Sequence, residues 1–259
     1  MTFTKHRFWA KLPAATFPTA AGFLMGLAVM ALAAIAGCSD RAGRQEVDPR
    51  IADVSRPLVF VTQPANPPFA YRNASGEIVG SDVDMARRIA AKMGRSLVVE
   101  GINFADIIPR LKAGTADLGI ATITINEARQ RDVDFSAPYA TGGTCFLYRK
   151  DGTKPRMSQL PSLRIGVEAD TVGDLYICRH GGNPIRYASQ AEAITALERG
   201  KLDAVFSDIP PLKAMADKSN GLLVVTPPET RELYGVAVDK KRPDVLAAAN
   251  AVIAEGGKK

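Results

Sequence analysis

Histidine is nearly absent from this chain, and its scarcity narrows the chemistry that the protein can perform. Of 259 residues only two are histidines, and His6 lies in an N-terminal segment that we expect to be removed. His180 remains, in a stretch (ICRHGG) that is typical of a solvated helix end. The sequence therefore predicts neither a catalytic triad built on histidine nor a histidine-based zinc site, and we predict no metal site.

Two further features are missing. No run of basic residues is interleaved with aromatics, as a nucleic-acid-binding surface would require, and no glycine-rich loop could cradle phosphates. We therefore expect no nucleic-acid partner, no nucleotide hydrolysis and no cofactor. The formal net charge of +6 overstates how basic the working protein is, because the expected removal of Lys5, Arg7 and Lys11 lowers it to +3.

Residues 1–37 have the composition of a secretory signal. A basic start is followed by a stretch of small and apolar residues that ends at Ile35-Ala36-Gly37-Cys38. This ending resembles a bacterial lipobox, in which the cysteine, here Cys38, is acylated and becomes the mature N-terminus. The polar residues 38–56 would then form a lipid-anchored tether. An uncleaved signal anchor with an incidental cysteine is the alternative, because the apolar stretch approaches membrane-spanning length.

Cys145 and Cys178 are the other two cysteines of the chain. Export to an oxidising compartment favours a disulfide between them. The predicted fold opposes it, because Cys145 should begin a strand near the binding cleft whereas Cys178 should end a helix that has run away from that cleft. Both outcomes stay open at this point.

Two segments of the chain repeat each other with a shift of 86 positions. Each repeat predicts a helix end, a left-handed glycine and then an apolar strand opened by Asp. The matched pairs are Leu111 and Leu197, Gly114 and Gly200, and Asp117 and Asp203. The same shift places Thr122 opposite Asp208, both where their strands end, which is where ligands collect in open α/β sheets. The repeat predicts two similar lobes that present polar residues to each other, unless three matched positions arise by chance.

The region after the tether alternates β-rich runs with amphipathic helices, the pattern of an α/β fold with mainly parallel sheets. We predict that lobe I comprises residues 57–142 plus 229–259 and that lobe II comprises residues 143–228. The chain would cross between the lobes twice, which gives a hinge of two strands. The glycine pair Gly142-Gly143 lies at the first crossing.

Several motifs, in this order and spacing, resemble the bacterial extracellular solute-binding proteins of family 3. They are PPF (67–69), GSDVD (80–84), IP (108–109), TINEAR (124–129), VDFS (133–136) and DAVFSD (203–208). The resemblance spans residues 58–253. It implies a two-lobed periplasmic-binding-protein fold of type II and a periplasmic, monomeric receptor that delivers a polar amino acid or similar solute to an ABC permease in the inner membrane.

The resemblance assigns ligand contacts to Arg129, Thr124 and Asp208. The planar Arg129 guanidinium suits a carboxylate, and the Thr124 hydroxyl and backbone N–H would assist it. Thr122 lies on the same strand face, and Asp208 would accept hydrogen bonds from an ammonium group. Alternatively, Arg129 pairs with Glu127 or Asp132 on the surface, and Asp208 serves only as a helix N-cap.

Departures from the family pattern leave the ligand open. Asn66 replaces an aromatic residue that commonly stacks on the ligand, and Gln63 stands where an Asp is frequent. The usual Gly-Thr-Thr is Asp170-Thr171-Val172, so the second threonine hydroxyl is missing. Asp170 is either an N-cap or a pocket residue that favours a cation. Phe69 and Phe104 are further candidate ligand contacts, although Phe104 is equally suited to the core.

Two other functions fit parts of the same sequence. Cyclohexadienyl dehydratases share this fold and resemble the INEARQR segment, but the acid that the resemblance would place soon after Asp208 is absent from Ile209–Leu212. Asp170 could replace it only if its pKa were raised. A sensing lipoprotein that is not coupled to transport is the second alternative. We predict a binding protein and not an enzyme.

Overall fold

The computed structural model describes residues 48–256. The predicted signal peptide, the lipobox with Cys38 and the first part of the tether lie outside the described residues. The α-helices are α1 (Pro49–Ala52), α2 (Ser81–Lys92), α3 (Phe104–Lys112), α4 (Glu127–Gln130), α5 (Val172–Arg179), α6 (Gln190–Glu198), α7 (Ile209–Lys218) and α8 (Pro243–Gly256), with a 3₁₀ helix at Met157–Ser162.

The strands are short and alternate with these helices. They are β1 (Leu58–Thr62), β2 (Ala65–Asn66), β3 (Ala70–Arg72), β4 (Ile78–Val79), β5 (Leu97–Gly101), β6 (Leu118–Gly119), β7 (Asp134–Phe135), β8 (Ala140–Gly142), β9 (Thr144–Arg149), β10 (Ile165–Glu168), β11 (Ile185–Tyr187), β12 (Ala204–Asp208), β13 (Leu223–Val225), β14 (Glu232–Tyr234) and β15 (Ala237–Val238).

Two five-stranded sheets organise the molecule, and we call each sheet with its packed helices a lobe. The sheet of lobe I has the order β5-β1-β6-β15-β7, and that of lobe II the order β11-β10-β12-β9-β13. The central strands pair in parallel, β1 with β5 and β6 in lobe I, and β10 with β11 and β12 in lobe II. This architecture confirms the predicted α/β fold with two lobes.

Buried strands and amphipathic helices account for the two cores. In lobe I, Leu58 and Phe60 of β1 pack with Val83 and Ile89 of α2 and with α8, as expected for a strand that is covered on both faces. In lobe II, the α6 residues Ile194 and Leu197 pack in the same way against Val205 of β12 and its neighbours. Each lobe therefore has its own hydrophobic core.

The hinge consists of β8 and β14, which pair antiparallel where the chain passes between the two sheets. Gly142 and Gly143 are required here because of close contacts. A Cβ atom on Gly142 would overlap the Tyr234 ring, and one on Gly143 would overlap the Thr230 carbonyl group. The glycine pair thus allows the two crossing segments to lie against each other.

The repeated segments adopt the same local structure. Gly114 and Gly200 have left-handed φ values of 68° and 70°. The Asp117 carboxylate accepts a hydrogen bond from the Val59 N–H at 2.8 Å, and the Asp203 carboxylate accepts one from the Arg164 N–H, also at 2.8 Å. Each aspartate therefore ties the beginning of its strand to the neighbouring parallel strand.

Residues 48–56, at the end of the predicted tether, pack against lobe I. Arg50 of α1 forms ion pairs with Asp48 at 2.6 Å and with Asp239 at 2.5 Å, and Arg56 pairs with the buried Asp117 at 3.3 Å. Asp117 also forms an ion pair with the fully buried Arg242. This network lies at the end of the lobe I sheet where β6 begins.

The two thiols are not joined, so the possible Cys145–Cys178 disulfide is absent from the structure. Cys145 is buried in β9, whereas Cys178 is exposed near the end of α5. The Cys178 sulfur contacts the Arg186 guanidinium at 3.3 Å. The separation arises because α5 carries Cys178 away from the central strands, as the sequence argument against the bond expected.

Candidate functional site

Polar side chains from both lobes enclose a small cavity of about 30 Å³ at the carboxyl ends of the central strands. Room of this size accommodates only a few water molecules. Its lining comprises Gln63, Asn66, Phe104, Ala121, Thr122, Thr124, Arg129, Thr144, Glu168, Thr171, Val172, Gly173, Gln190, Ser207 and Asp208. Both lobes therefore contribute to a single site, which we call the cleft.

Two direct hydrogen bonds join the lobes across the cleft. Gln63, directly after β1, donates through Nε2 to Glu168 Oε1 at the end of β10 at 2.5 Å. Thr122, soon after β6, donates through Oγ1 to Asp208 Oδ2 at the end of β12 at 3.2 Å. Thr122 and Asp208, which occupy equivalent positions in the sequence repeat, are thus in contact across the cleft.

Asp208 occupies the N-cap position of α7, but its side chain makes no capping hydrogen bond. The carboxylate points into the cleft instead. Burial, together with the nearby carboxylates of Glu232 and Glu168, raises the pKa of Asp208 to about 7, although Thr122 and Arg129 oppose this change. The structure therefore does not support a role for Asp208 as a cap alone.

Arg129 lies in α4, where the Asn126 side chain caps the helix by accepting from the Arg129 backbone N–H at 2.9 Å. Its Nη1 donates to the Thr124 carbonyl at 3.0 Å, and its guanidinium carbon lies 5.1 Å from the Phe104 ring centroid. No carboxylate among residues 48–256 forms a salt bridge with it; Asp132, a predicted alternative partner, pairs with Lys112.

The environment of Arg129 suits an anion. Burial lowers the pKa of Arg129, while Glu232 and Asp208 act in the opposite direction. Because only Nη1 has a hydrogen-bond acceptor within the described residues, the remaining guanidinium N–H groups are available to a ligand in the cleft. A carboxylate would satisfy two of them at once.

The hydroxyl of Thr124 does not have the predicted role. It donates to Glu232 Oε2 at 2.5 Å, and Glu232 also accepts from the Thr230 hydroxyl at 2.9 Å. Since the single hydroxyl hydrogen is used, Thr124 Oγ1 does not donate to a ligand carboxylate in this arrangement. Glu232, a buried residue of the hinge strand β14, was not predicted from the sequence.

Thr122 is held in an unusual backbone conformation, with φ at 49°, which is costly for a β-branched residue. Its N–H donates to the Tyr139 hydroxyl at 3.1 Å, and its Oγ1 accepts from Asn66 Nδ2 at 2.8 Å. Behind this pair lies the fully buried Asp82, whose pKa burial raises to about 7. These contacts aim the Thr122 hydroxyl into the cleft.

The N-terminus of α5 forms part of the lobe II wall through Thr171, Val172 and Gly173. Thr171 is the N-cap, since its side chain accepts from the Asp174 N–H at 3.2 Å, so the N-cap role considered for Asp170 belongs to Thr171. Asp170 is exposed, with φ at 60°. It lines an adjacent groove outside the cleft. Helix N-termini attract anions.

Phe69 is the other predicted contact that the structure removes from the cleft. Its ring packs edge-on against Tyr234, with a centroid separation of 6.5 Å, and it does not line the cavity. It therefore supports the hinge. The predicted contacts Asn66, Phe104, Thr122, Thr124, Arg129, Thr171 and Asp208 all line the cavity.

Glu168 and Gln190 line the cleft but were not predicted. Glu168 is 7% exposed, and burial raises its pKa even though Gln63 and the Gln190 N–H stabilise the carboxylate. The rule that locates ligands at strand ends would have found Glu168, because it ends the apolar run IGVE. No comparable sequence signal marks Gln190, which opens α6.

Within residues 48–256, no cluster of His, Cys, Asp and Glu has the arrangement to hold a metal ion. The same part of the chain contains no helix with the length and hydrophobicity needed to cross a membrane.

Fold and site together define a two-lobed binding protein with a polar cleft. Residues 58–258 match the bacterial extracellular solute-binding proteins, family 3, and the chain belongs to this family. It is 27% identical over 237 residues to the L-cystine-binding protein TcyJ of Escherichia coli K12, which covers 90% of this chain and 88% of TcyJ.

Solved structures show the same relationship. The arginine-bound form of a truncated ArgBP from T. maritima superposes with a TM-score of 0.75 and 31% identity, covering 81% of this chain and 99% of that one. The ancestral amino-acid-binding protein AncCDT-1, a precursor of cyclohexadienyl dehydratase, gives a TM-score of 0.71 and 27% identity over 78% and 90% of the two chains. The relatives named here bind amino acids.

Proposed function

We propose that this protein is the receptor of an ABC importer for a free α-amino acid, which both lobes hold in the cleft. The observation that supports this most is the pair Arg129 and Asp208. These two half-buried, oppositely charged side chains face one cavity from different lobes and form no ion pair with each other. An α-amino acid carries the matching charges on adjacent groups.

In this proposal the ligand carboxylate binds the free N–H groups of Arg129 and the N-terminus of α5, and the ligand ammonium binds Asp208. Charge-assisted hydrogen bonds of this kind are about twice as strong as neutral ones. The ammonium also offsets the repulsion that Asp208 experiences from Glu232 and Glu168. Because the head group binds side chains of both lobes at once, the ligand stabilises the closed form.

Titration calorimetry with a panel of L-amino acids tests the proposal. Arg129→Gln and Asp208→Asn should each weaken binding about 100-fold or more, because each leaves one charge of the ligand unpaired. Arg131→Gln and Asp217→Asn are matched controls on exposed positions of the same two regions. If no amino acid binds, or if the control variants lose affinity equally, the proposed function is wrong.

We further propose that the protein is exported to the periplasm, anchored through an acylated Cys38 and docked to an inner-membrane permease. The lipobox-like sequence before Cys38 supports the anchor. Cells that express the protein should incorporate radiolabelled palmitate into it, and Cys38→Ser should abolish the label. Retention of the label in this variant would argue against acylation at Cys38.

A dehydratase activity is the second candidate, because AncCDT-1 is a structural neighbour and the pKa of Asp208 is raised to about 7, a value that suits a general acid. Asp208 is nevertheless needed as a carboxylate to bind an ammonium group. We expect no conversion of prephenate or arogenate by the purified protein. Turnover that Asp208→Asn abolishes would favour the enzyme.

A further inference from the structure

One buried carboxylate of the cleft has no role in holding the amino-acid head group. Glu168 accepts a hydrogen bond from Gln63 Nε2 across the cleft at 2.5 Å, and the backbone N–H of Gln190 lies against it. Both donors are neutral amides, and no cationic side chain in residues 48–256 forms a salt bridge with Glu168. The charge of this side chain is therefore uncompensated.

Two neighbouring polar atoms also lack partners. Asn66 Oδ1 and Gln190 Nε2 are buried and have no hydrogen-bond partner, and both side chains line the cleft. Gln190 is only 8% exposed. Asn66 Oδ1 is an acceptor, whereas Gln190 Nε2 is a donor. Asn66 Oδ1 and the Glu168 carboxylate are thus acceptors that this part of the cleft offers to a ligand group with N–H donors.

The position of Glu168 relative to Asp208 suits a ligand side chain. Glu168 ends β10 and Asp208 ends β12, and these strands are direct neighbours. Neighbouring strands lie about 4.8 Å apart. A ligand whose α-carbon lies near Asp208 can therefore reach Glu168 only with a linear side chain of several bonds. Arg129, in α4 of lobe I, lines the same cavity.

Charge accounting then indicates the chemistry of that side chain. In the proposed complex, Arg129 pairs with the ligand carboxylate and Asp208 with the ligand ammonium, so Glu168 remains as a buried anion. A neutral side chain would leave this charge unpaired, whereas a cation would form charge-assisted hydrogen bonds with it. A side chain that carries only a carboxylate, such as that of glutamate, would be repelled.

We propose that Glu168 binds a positively charged ligand side chain and makes this receptor selective for cationic amino acids. The inference rests on the proposed amino-acid-binding function. L-citrulline provides the decisive comparison, since it matches L-arginine in shape but its side chain is neutral.

The experiment measures dissociation constants for L-arginine, L-lysine, L-citrulline, L-glutamine and L-cystine by titration calorimetry, for the unmodified protein and for Glu168→Gln. We expect L-arginine or L-lysine to bind about 100-fold more tightly than L-citrulline and L-glutamine. In Glu168→Gln the cationic ligand should lose about 100-fold, while L-citrulline changes by less than about threefold. Glu198→Gln, which changes an exposed carboxylate at the end of the adjacent helix α6, should change neither.

Several outcomes would overturn the inference while leaving the proposed function intact. One is equal affinity for L-arginine, L-lysine and L-citrulline in a protein whose amino-acid binding still depends on Arg129 and Asp208. Another is tightest binding of L-cystine or L-glutamine, and a third is an unchanged cationic preference in Glu168→Gln. The variant should fold, because it replaces a buried charge by a neutral group of the same shape.

Discussion

The two lobes resemble each other where their strands begin and differ where those strands end. At the beginning of β6 and β12, both lobes place a left-handed glycine and an aspartate that binds the neighbouring strand. At the other end, lobe I presents the neutral Gln63 and Thr122, and lobe II presents the carboxylates Glu168 and Asp208. The shared end supports the fold, and the end that differs creates the electrostatic contrast across the cleft.

The matched aspartates themselves differ in burial, and this comparison gives the largest expected effect. Asp117 is fully buried with Arg242, whereas Asp203 pairs with the half-exposed Arg164. Removing one partner of a buried pair costs about 3–5 kcal/mol, and an exposed pair contributes at most about 1 kcal/mol. Asp117→Ala should therefore lower the free energy of unfolding far more than Asp203→Ala.

Urea denaturation of the two variants measures this difference directly. Asp203→Ala also loses the hydrogen bond to the Arg164 N–H, which Asp117→Ala loses in its equivalent form to Val59. The backbone contribution is thus matched, and the difference isolates the buried ion pairs. Equal losses in the two variants would show that burial of the Asp117 network adds nothing to the stability of lobe I.

The second largest expected effect concerns Asp208. Its replacement by Asn should increase the stability of the ligand-free protein but weaken ligand binding. Its pKa is raised to about 7 in the folded protein from its ordinary value of 3.8, so the folded form binds more protons than the unfolded form between these two pH values. The free energy of unfolding should therefore fall as pH rises from 4 to 7 and then level off. Above pH 7, Asp208→Asn should therefore have a free energy of unfolding roughly 2–4 kcal/mol higher than that of the unmodified protein.

At pH 8 the ligand-free Asp208→Asn protein should consequently melt at a higher temperature than the unmodified protein, and at pH 4 the two should coincide. At pH 8 the variant should bind the ligand about 100-fold more weakly than the unmodified protein, because the ammonium loses its charged partner. An Asn variant that is less stable than the unmodified protein at pH 8 would contradict the burial argument.

Asp82 in lobe I can be compared with Asp208, because its replacement should change stability but not ligand binding. Burial raises its pKa to about 7 as well, but it lies behind Thr122 and does not line the cleft. Asp82→Asn should increase the melting temperature at pH 8 by the same mechanism, by an amount no larger than that of Asp208→Asn. The ligand dissociation constant should change by less than about threefold, because Asp82 does not line the cleft. A larger change would assign Asp82 a part in positioning Thr122.

The sequence predicted the two lobes and seven of the fifteen lining residues, because these depend on local signals. A glycine after a helix and an aspartate before an apolar strand specify the same turn wherever they occur, as Gly114 and Gly200 show. Arg129 and Asp208 followed from motifs whose order and spacing resemble a family. The lining residue Glu168, which was not predicted, lies at the end of an apolar strand as Asp208 does.

The remaining details depend on contacts between distant segments. Thr124 lost its predicted donor role because Glu232, 108 positions later, accepts its hydroxyl hydrogen. Phe69 does not line the cleft, because its ring packs against Tyr234 of the hinge. Neither Glu232 nor Tyr234 can be predicted as a partner from spacing or periodicity. Both lie in a hinge strand, and no local sequence pattern specifies how the two lobes are placed relative to each other.

The smallest expected effect concerns the residues of the two lobes that lie near the proposed binding site of the ligand carboxylate. Thr124 of lobe I uses its hydroxyl on Glu232, and Val172 at the N-terminus of α5 in lobe II has none. Val172→Thr, a change of nearly constant volume, would add one hydroxyl donor to the proposed carboxylate site. One such hydrogen bond contributes about 1 kcal/mol, so we expect the dissociation constant of the amino acid to fall about fivefold. The matching amine without a carboxylate, such as agmatine for arginine, should show no gain. An equal gain for the amine would place the ligand carboxylate elsewhere in the cleft.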